Sequence, residues 1–138
     1  MNLFIDTSTL VKRYVEEKNS DKVDELFLKT DSIEVSSITR IELNSAFARR
    51  LADKSIDKKS YEIALSEFNN ELVFFNIVTF SGSVEAEAVN LIRKYQMKTL
   101  DAVQLASARL CSRDSFVTSD KRLYEIALKE LPIECIYV

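Results

Sequence analysis

The sequence predicts an α/β domain: a three-layer sandwich with a central, mostly parallel sheet of five strands flanked by about seven helices. Three observations predict it. Short apolar runs typical of buried strands alternate throughout with segments whose apolar residues recur at helical spacing, and parallel neighbours need such crossovers. The 138 residues are 46% hydrophobic, which is the size and apolar content of one ordinary domain with a substantial core. Only one Gly (Gly82) and one Pro (Pro132) occur, so long helices joined by short loops are favoured, and residues 1–138 read as one unit without a linker.

The elements follow in order. Leu3-Phe4-Ile5 is a short continuous apolar run, and Thr7-Ser8 can cap a helix carrying Leu10, Val11, Tyr14 and Val15. A second helix fits Asp21 to Lys29, with Val23, Leu26 and Phe27 at helical spacing, before the β-branched strand around Ile33-Glu34-Val35-Ser36. From Thr39, Ile41, Leu43, Ala46, Phe47, Ala48 and Leu51 mark one helix, and Ile56, Tyr61, Ala64, Leu65, Phe68 and Leu72 mark another. The third strand lies within Val73–Val78. Val84, Ala88, Leu91, Ile92 and Tyr95 then define a helix preceded by Gly82, and Thr99 opens the next, with Val103, Ala106 and Leu110. Ser115-Phe116-Val117-Thr118 is the fourth strand, Leu123, Ile126, Ala127 and Leu131 the last helix, and Glu134–Val138 the fifth strand.

Histidine is absent, which removes Ser-His-Asp hydrolysis, Cys-His nucleophiles, histidine acid–base catalysis and His-ligated zinc. A single Gly is incompatible with the glycine-rich loops that approach phosphate in dinucleotide-binding and P-loop proteins. Cys111 and Cys135 lack Cys-x-x-Cys spacing and read as buried thiols. No signal peptide and no membrane-length apolar run is evident, so a cytoplasmic protein without membrane association is expected. The formal net charge of −3 argues mildly against a protein that coats nucleic acid, although two bound divalent ions would reverse its sign.

Four carboxylates fall where a strand gives way to a helix or in a helix's first turn: Asp6, Glu42, Asp101 and Asp120. Each has a structural explanation, because acids stabilise and cap helix N-termini. Thr39 and Glu42 form a Thr-x-x-Glu capping box, Asp101 follows Thr99 in a first turn, and Asp120 can cap the last helix. Asp6 is less easily dismissed, since Thr7 and Ser8 could cap without it and ligands in such folds bind beyond the carboxyl ends of strands. In a sheet ordered 3-2-1-4-5 the topological switch lies between strands one and four, which sets Asp6 beside Asp120, with Glu42 and Asp101 leaning in from either side. Four converging carboxylates would repel one another unless they held magnesium or manganese, for which oxygen ligands are suited. Ser8, Thr118 and Gln104 can hydrogen-bond the carboxylates or bound waters.

The motifs Phe4-Ile5-Asp6-Thr7-Ser8, Ile41-Glu42, Leu100-Asp101-Ala102-Val103-Gln104-Leu105-Ala106 and Phe116-Val117-Thr118-Ser119-Asp120-Lys121-Arg122-Leu123 resemble those of PIN domains, particularly VapC-type toxin ribonucleases, over nearly the whole chain. The resemblance implies a single PIN domain over 1–138. It implies that Asp6, Glu42, Asp101 and Asp120 are catalytic and bind one or two Mg2+ or Mn2+ ions, with Thr118 the hydroxyl residue before the last acid. Many relatives carry His where this chain has Gln104. The implied reaction is metal-dependent hydrolysis of RNA phosphodiesters with a 3′-hydroxyl leaving group. A homodimer and a small cognate antitoxin of the VapB kind, with its C-terminal segment in a groove near the site, are implied as well. Lys12, Arg13, Arg40 and Lys98 adjoin the acid motifs and could hold RNA phosphates.

Rival readings fit less well. A haloacid-dehalogenase-like phosphatase needs an Asp two residues after its nucleophile, where this chain has Ser8, and a response-regulator receiver needs an Asp ending its third strand, which Ile77-Val78-Thr79-Phe80 lacks. A structure-directed DNA nuclease usually carries added domains. A non-catalytic PIN-like protein that only binds a partner is the main alternative, and retention of all four acids counts against it.

Overall fold

The computed structural model describes residues 1–111 and 114–138. Its elements are β1 (Asn2–Ile5), α1 (Thr7–Tyr14), α2 (Ser20–Lys29), β2 (Ser32–Ser36), α3 (Thr39–Ala52), α4 (Lys58–Leu72), β3 (Asn76–Val78), α5 (Gly82–Tyr95), α6 (Thr99–Cys111), β4 (Ser115–Thr118), α7 (Lys121–Glu130) and β5 (Glu134–Tyr137). The five strands form one sheet in the order β3-β2-β1-β4-β5, and all four pairings are parallel. The predicted α/β sandwich, its strand order and its seven helices are therefore observed.

Strand alternation divides the core into two layers, because successive side chains point to opposite faces. Leu3 and Ile5 of β1 join Val35, Val117, Leu10, Leu43, Phe47 and Phe68 on one face, beneath α1 to α4. Phe4 and Phe116 point the other way and pack with Val84, Leu91, Leu105, Leu123 and Ile126 of α5 to α7. Their rings stack with centroids 5.9 Å apart. Strands β1 and β4 thus feed both layers, whereas α1 to α4 serve one and α5 to α7 the other.

This topology positions the site. The chain moves outward from β1 to β3, then crosses back through α5 and α6 to lay β4 on the other side of β1. The Asp6 amide donates to the Val117 carbonyl at 2.9 Å, so the two strands separate only beyond this point. The crevice between them opens at Asp6 and Ser119–Asp120.

Several local expectations are corrected. Asp6 itself, not Thr7 or Ser8, is the N-cap of α1, accepting from the Ser8 amide. The capping box at α3 does not form: Ile38 occupies the cap position and no side chain caps the helix. Thr39 and Glu42 are turned instead to partners distant in sequence. Gly82 opens α5 rather than preceding it, behind an N-cap at Ser81. Cys111 and Cys135 are half-buried rather than buried, and neither is in a disulfide. No helix among the described residues is long and apolar enough to cross a membrane.

The stacked pair at the sheet centre gives a direct test of the packing. Phe116→Ala should lower stability by about 3–5 kcal/mol, read as a lower urea midpoint at unchanged slope. A loss below about 1 kcal/mol would mean that the β1–β4 pair is not packed as described.

Candidate metal centre

All four acids singled out in the sequence line one cavity of about 650 Å³, together with Thr7, Ser8, Arg49 and Arg50. Asp6 arrives from the end of β1, Asp120 from the β4–α7 junction, Glu42 from the first turn of α3 and Asp101 from the first turn of α6. Among the described residues, no three acids are gathered closely enough to cage an ion as they stand. They surround a space rather than touch.

Asp6 is the most confined, only 4% exposed. Its Oδ2 accepts from Ser8 Oγ at 2.5 Å and from Thr118 Oγ1 at 3.0 Å. Those hydroxyls accept in turn from backbone amides of the β4–α7 junction, Ser119 to Ser8 at 3.0 Å and Asp120 to Thr118 at 3.1 Å. The relay polarises both hydroxyls towards the carboxylate. Even so, burial outweighs these donors, and with Glu42 and Asp101 nearby it pushes the Asp6 carboxyl up from 3.8 to about 6. Asp101 is also raised, by burial first and then by Asp120 and Glu42, against the opposing charges of Lys98 and Arg122.

Glu42 is positioned by side chains on two other helices. Its Oε1 accepts from Thr7 Oγ1 at 3.0 Å and from Gln104 Nε2 at 2.7 Å. Gln104 is fully buried and its amide also reaches Thr7 and Thr39 at 2.9 and 3.1 Å. A carboxylate only accepts, so the amide nitrogen must face Glu42, which fixes the orientation of the group. Asp120 accepts from the Leu123 amide at 2.9 Å through Oδ1 and caps α7.

The pattern of engaged oxygens tests whether a divalent cation suits the site. Asp6 uses Oδ2, Glu42 uses Oε1 and Asp120 uses Oδ1 for protein donors. Among the described residues no donor meets the second oxygen of any of the three, nor either oxygen of Asp101. Hard, harboured carboxylate oxygens facing a polar cavity fit Mg2+ or Mn2+, which take oxygen ligands and retain waters.

The basic residues proposed from sequence fare unequally. Arg13 is held elsewhere, donating to Glu71 at 2.8 Å and Asp24 at 2.7 Å and lying over the Phe27 ring, so its helix phase carries it away from the acids. Lys12 is tied to Glu17 at 3.2 Å and to the Lys18 carbonyl. Arg40 is exposed and lines none of the acid-bearing cavities described, whereas Lys98 stands beside Asp101 and Asp120 in an adjoining pocket. The cations at the acidic cavity are Arg49 and Arg50, three turns along α3 from its start. In the sequence they look like ordinary helix-surface charge. Their seven- and eight-residue offset from Glu42, two helical turns, is the signal that places them on its face.

Residues 3–129 match the PIN domain. No curated protein matches the chain. Solved structures resemble it in fold. A chain of VapBC2 from Rickettsia felis, solved bound to a DNA fragment from its promoter, is 19% identical, with 100% of this chain and 99% of that one covered and a TM-score of 0.69. VapC20 from Mycobacterium tuberculosis, described as a Sarcin-Ricin loop cleaving toxin, is 13% identical over 90% and 94% with a TM-score of 0.72. FitAcB from Neisseria gonorrhoeae is 20% identical over 97% and 96%, also at 0.72.

The raised Asp6 carboxyl makes the cation-free protein sensitive to pH. Because the folded state holds this proton more tightly than the unfolded state, the contribution is complete below 3.8 and is lost as pH rises to about 6. Comparing wild type with Asp6→Asn in EDTA isolates it: the variant should gain about 3 kcal/mol on wild type across that window. A difference that stays flat from pH 4 to 7 in denaturant titrations would show that Asp6 is not desolvated.

Proposed function

The chain belongs to the PIN domain family, and from that premise we propose that it is a metal-dependent endoribonuclease, the toxin of a type II toxin–antitoxin pair, built as a single PIN domain over 1–138. The observation that carries this reading is the set of four acids on one cavity, three with one oxygen engaged by the protein and the other without a donor among the described residues. Asp6, Glu42, Asp101 and Asp120 would hold one or two Mg2+ or Mn2+ ions. When bound, such ions supply Lewis acidity to the phosphate and acidify water.

The chain's own residues do the rest. Ser8 and Thr118 orient Asp6 and favour its ionised form against the cost of burial, and Gln104 with Thr7 fixes the direction of Glu42. Such supporting donors keep ligands oriented. Arg49, exposed and without a carboxylate partner among the described residues, offers a charge to the RNA backbone. Arg50 is anchored by Glu17 and is less available. Hydrolysis adds water to phosphorus and breaks its bond to the 3′ oxygen, which leaves as a hydroxyl.

The toxin assignment draws on fold neighbours solved as toxin–antitoxin complexes, including one from Klebsiella pneumoniae. An antitoxin and a second copy of the chain both need apolar surface, and Val73, Phe74, Ile77 and Phe80 are exposed in succession from the end of α4 through β3. A cytoplasmic location belongs to the same proposal; among the described residues no helix is long and apolar enough to cross a membrane. The rival reading, a PIN-like protein that only binds a partner, has one observation in its favour: among the described residues the acids are not gathered into a ready cage.

Cleavage decides between them. Purified protein should cut at least one of tRNA, ribosomal RNA or single-stranded RNA in Mg2+ or Mn2+ and stop in EDTA. Glu42→Gln and Asp101→Asn, neither of which removes a helix cap, should each cost more than the roughly 100-fold typical of lost supporting contacts while the thermal midpoint stays within a few degrees. Equal behaviour of wild type and variants on all three RNAs leaves the binding reading in place. Arg49→Ala should weaken RNA binding about equally across sequences and reduce the salt slope by about one, measured by anisotropy between 50 and 200 mM salt.

A further inference from the structure

A second cavity, of about 250 Å³, adjoins the acidic one and shares Asp101 and Asp120 with it. Its other lining residues are Met97, Lys98, Arg122, Leu123 and Ile126. The chemistry here differs from that of the main cavity. Met97, Leu123 and Ile126 are core residues, 7%, 2% and 6% exposed, so their accessible edges form a fixed apolar floor. Lys98 and Arg122 are exposed at its margin, and both bear electrostatically on Asp101.

Local structure holds these groups in place. Gln96 ends α5 in the left-handed backbone region (φ 54°), which turns the chain so that Met97 is buried while Lys98 stays exposed. Arg122 donates to the Tyr95 carbonyl at 2.8 Å, which ties its guanidinium to the end of α5. Lys98 has no carboxylate within ion-pair distance among the described residues. Two cations at the margin make the cavity unsuitable for a further metal ion. The apolar floor is equally unsuited to a bare phosphate.

A flat apolar body joined to an anion matches both halves. We infer that this cavity is a nucleotide subsite: one base of the RNA lies on Met97, Leu123 and Ile126, and the phosphate beside the scissile one is held by Lys98 and Arg122. The inference rests on the ribonuclease reading and deepens it. The volume lies below the roughly 300–1,000 Å³ of pockets for drug-sized ligands, which suits one base rather than two. Methionine sulfur and a guanidinium plane both favour aromatic rings. The lining contains no amide or neutral hydroxyl side chain, so the base is chosen mainly by shape and stacking, giving a preference rather than a strict code.

Nucleoside monophosphates test this without turnover, because they contain no internucleotide bond. Adenosine, guanosine, cytidine and uridine 5′-monophosphates, with ribose 5-phosphate as the baseless probe, are titrated in Mg2+ and followed by backbone amide shifts. The amides of Met97, Lys98, Arg122 and Leu123 should move, and at least one nucleotide should bind more tightly than ribose 5-phosphate. Lys98→Ala or Arg122→Ala, both at exposed positions, should weaken binding about tenfold. Met97→Ala should weaken nucleotides but leave ribose 5-phosphate unchanged. Equal binding of ribose 5-phosphate and every nucleotide, or shifts confined to other residues, overturns the subsite. Parallel RNA digests separate the two readings: cleavage without nucleotide binding at these residues removes the subsite and keeps the nuclease. Nucleotide binding here without cleavage of any RNA keeps the subsite and removes the nuclease.

Discussion

A carboxylate almost completely removed from water at the end of β1 is the constraint around which this molecule is arranged. Burying an unpaired charge costs several kcal/mol even after relaxation, and among the described residues no cation forms an ion pair with Asp6 to offset it. What offsets part of it is a layered set of dipoles: the Ser8 and Thr118 hydroxyls, the junction amides behind them and the start of α1. Those donors come from two segments more than a hundred residues apart. They meet only because the connection from β3 through α5 and α6 passes β2 and β1 and lays β4 against β1.

Gln104 extends the same order to the far side of the cavity. It is fully buried, and its amide nitrogen serves Thr7, Thr39 and Glu42 while its Oε1 has no partner among the described residues. An unsatisfied buried acceptor costs about 1–3 kcal/mol, a penalty set against the fixed direction it gives Glu42. Because the amide does not titrate, its donors to Thr7, Thr39 and Glu42 are present at every pH.

Several of the described cations are engaged away from the acids. Arg13 and Tyr14 converge on Glu71, which fastens α1 to α4, and Lys12 and Arg50 converge on Glu17. Glu130 likewise collects Lys94, Tyr95 and Arg109. Arg49, Lys98 and Arg122 remain at the rims of the two cavities, where charge attracts a polyanion without closing on the carboxylates. A cavity negative within and positive at its margin suits a metal inside and a phosphate chain across it.

The sequence by itself determined the element order and the parallel sheet and singled out the four acids that the fold sets on one cavity, because hydrophobic period and strand-to-helix junctions are local properties that survive in one dimension. It also placed Ser8 and Thr118 within reach of the junctions. Which acid caps which helix was decided only in three dimensions. Thr39 and Glu42 have capping-box spacing, yet a buried amide from α6 offers them partners that local geometry cannot. Asp6 took the capping role assigned to its neighbours because their hydroxyls are turned to other partners. The fate of the cations was equally non-local. Arg13 and Arg49 are both helix-surface arginines in sequence, and only helix packing put a carboxylate against the first and an open cavity beside the second. Charge pairing depends on what the opposite element presents, and sequence spacing carries no information about that.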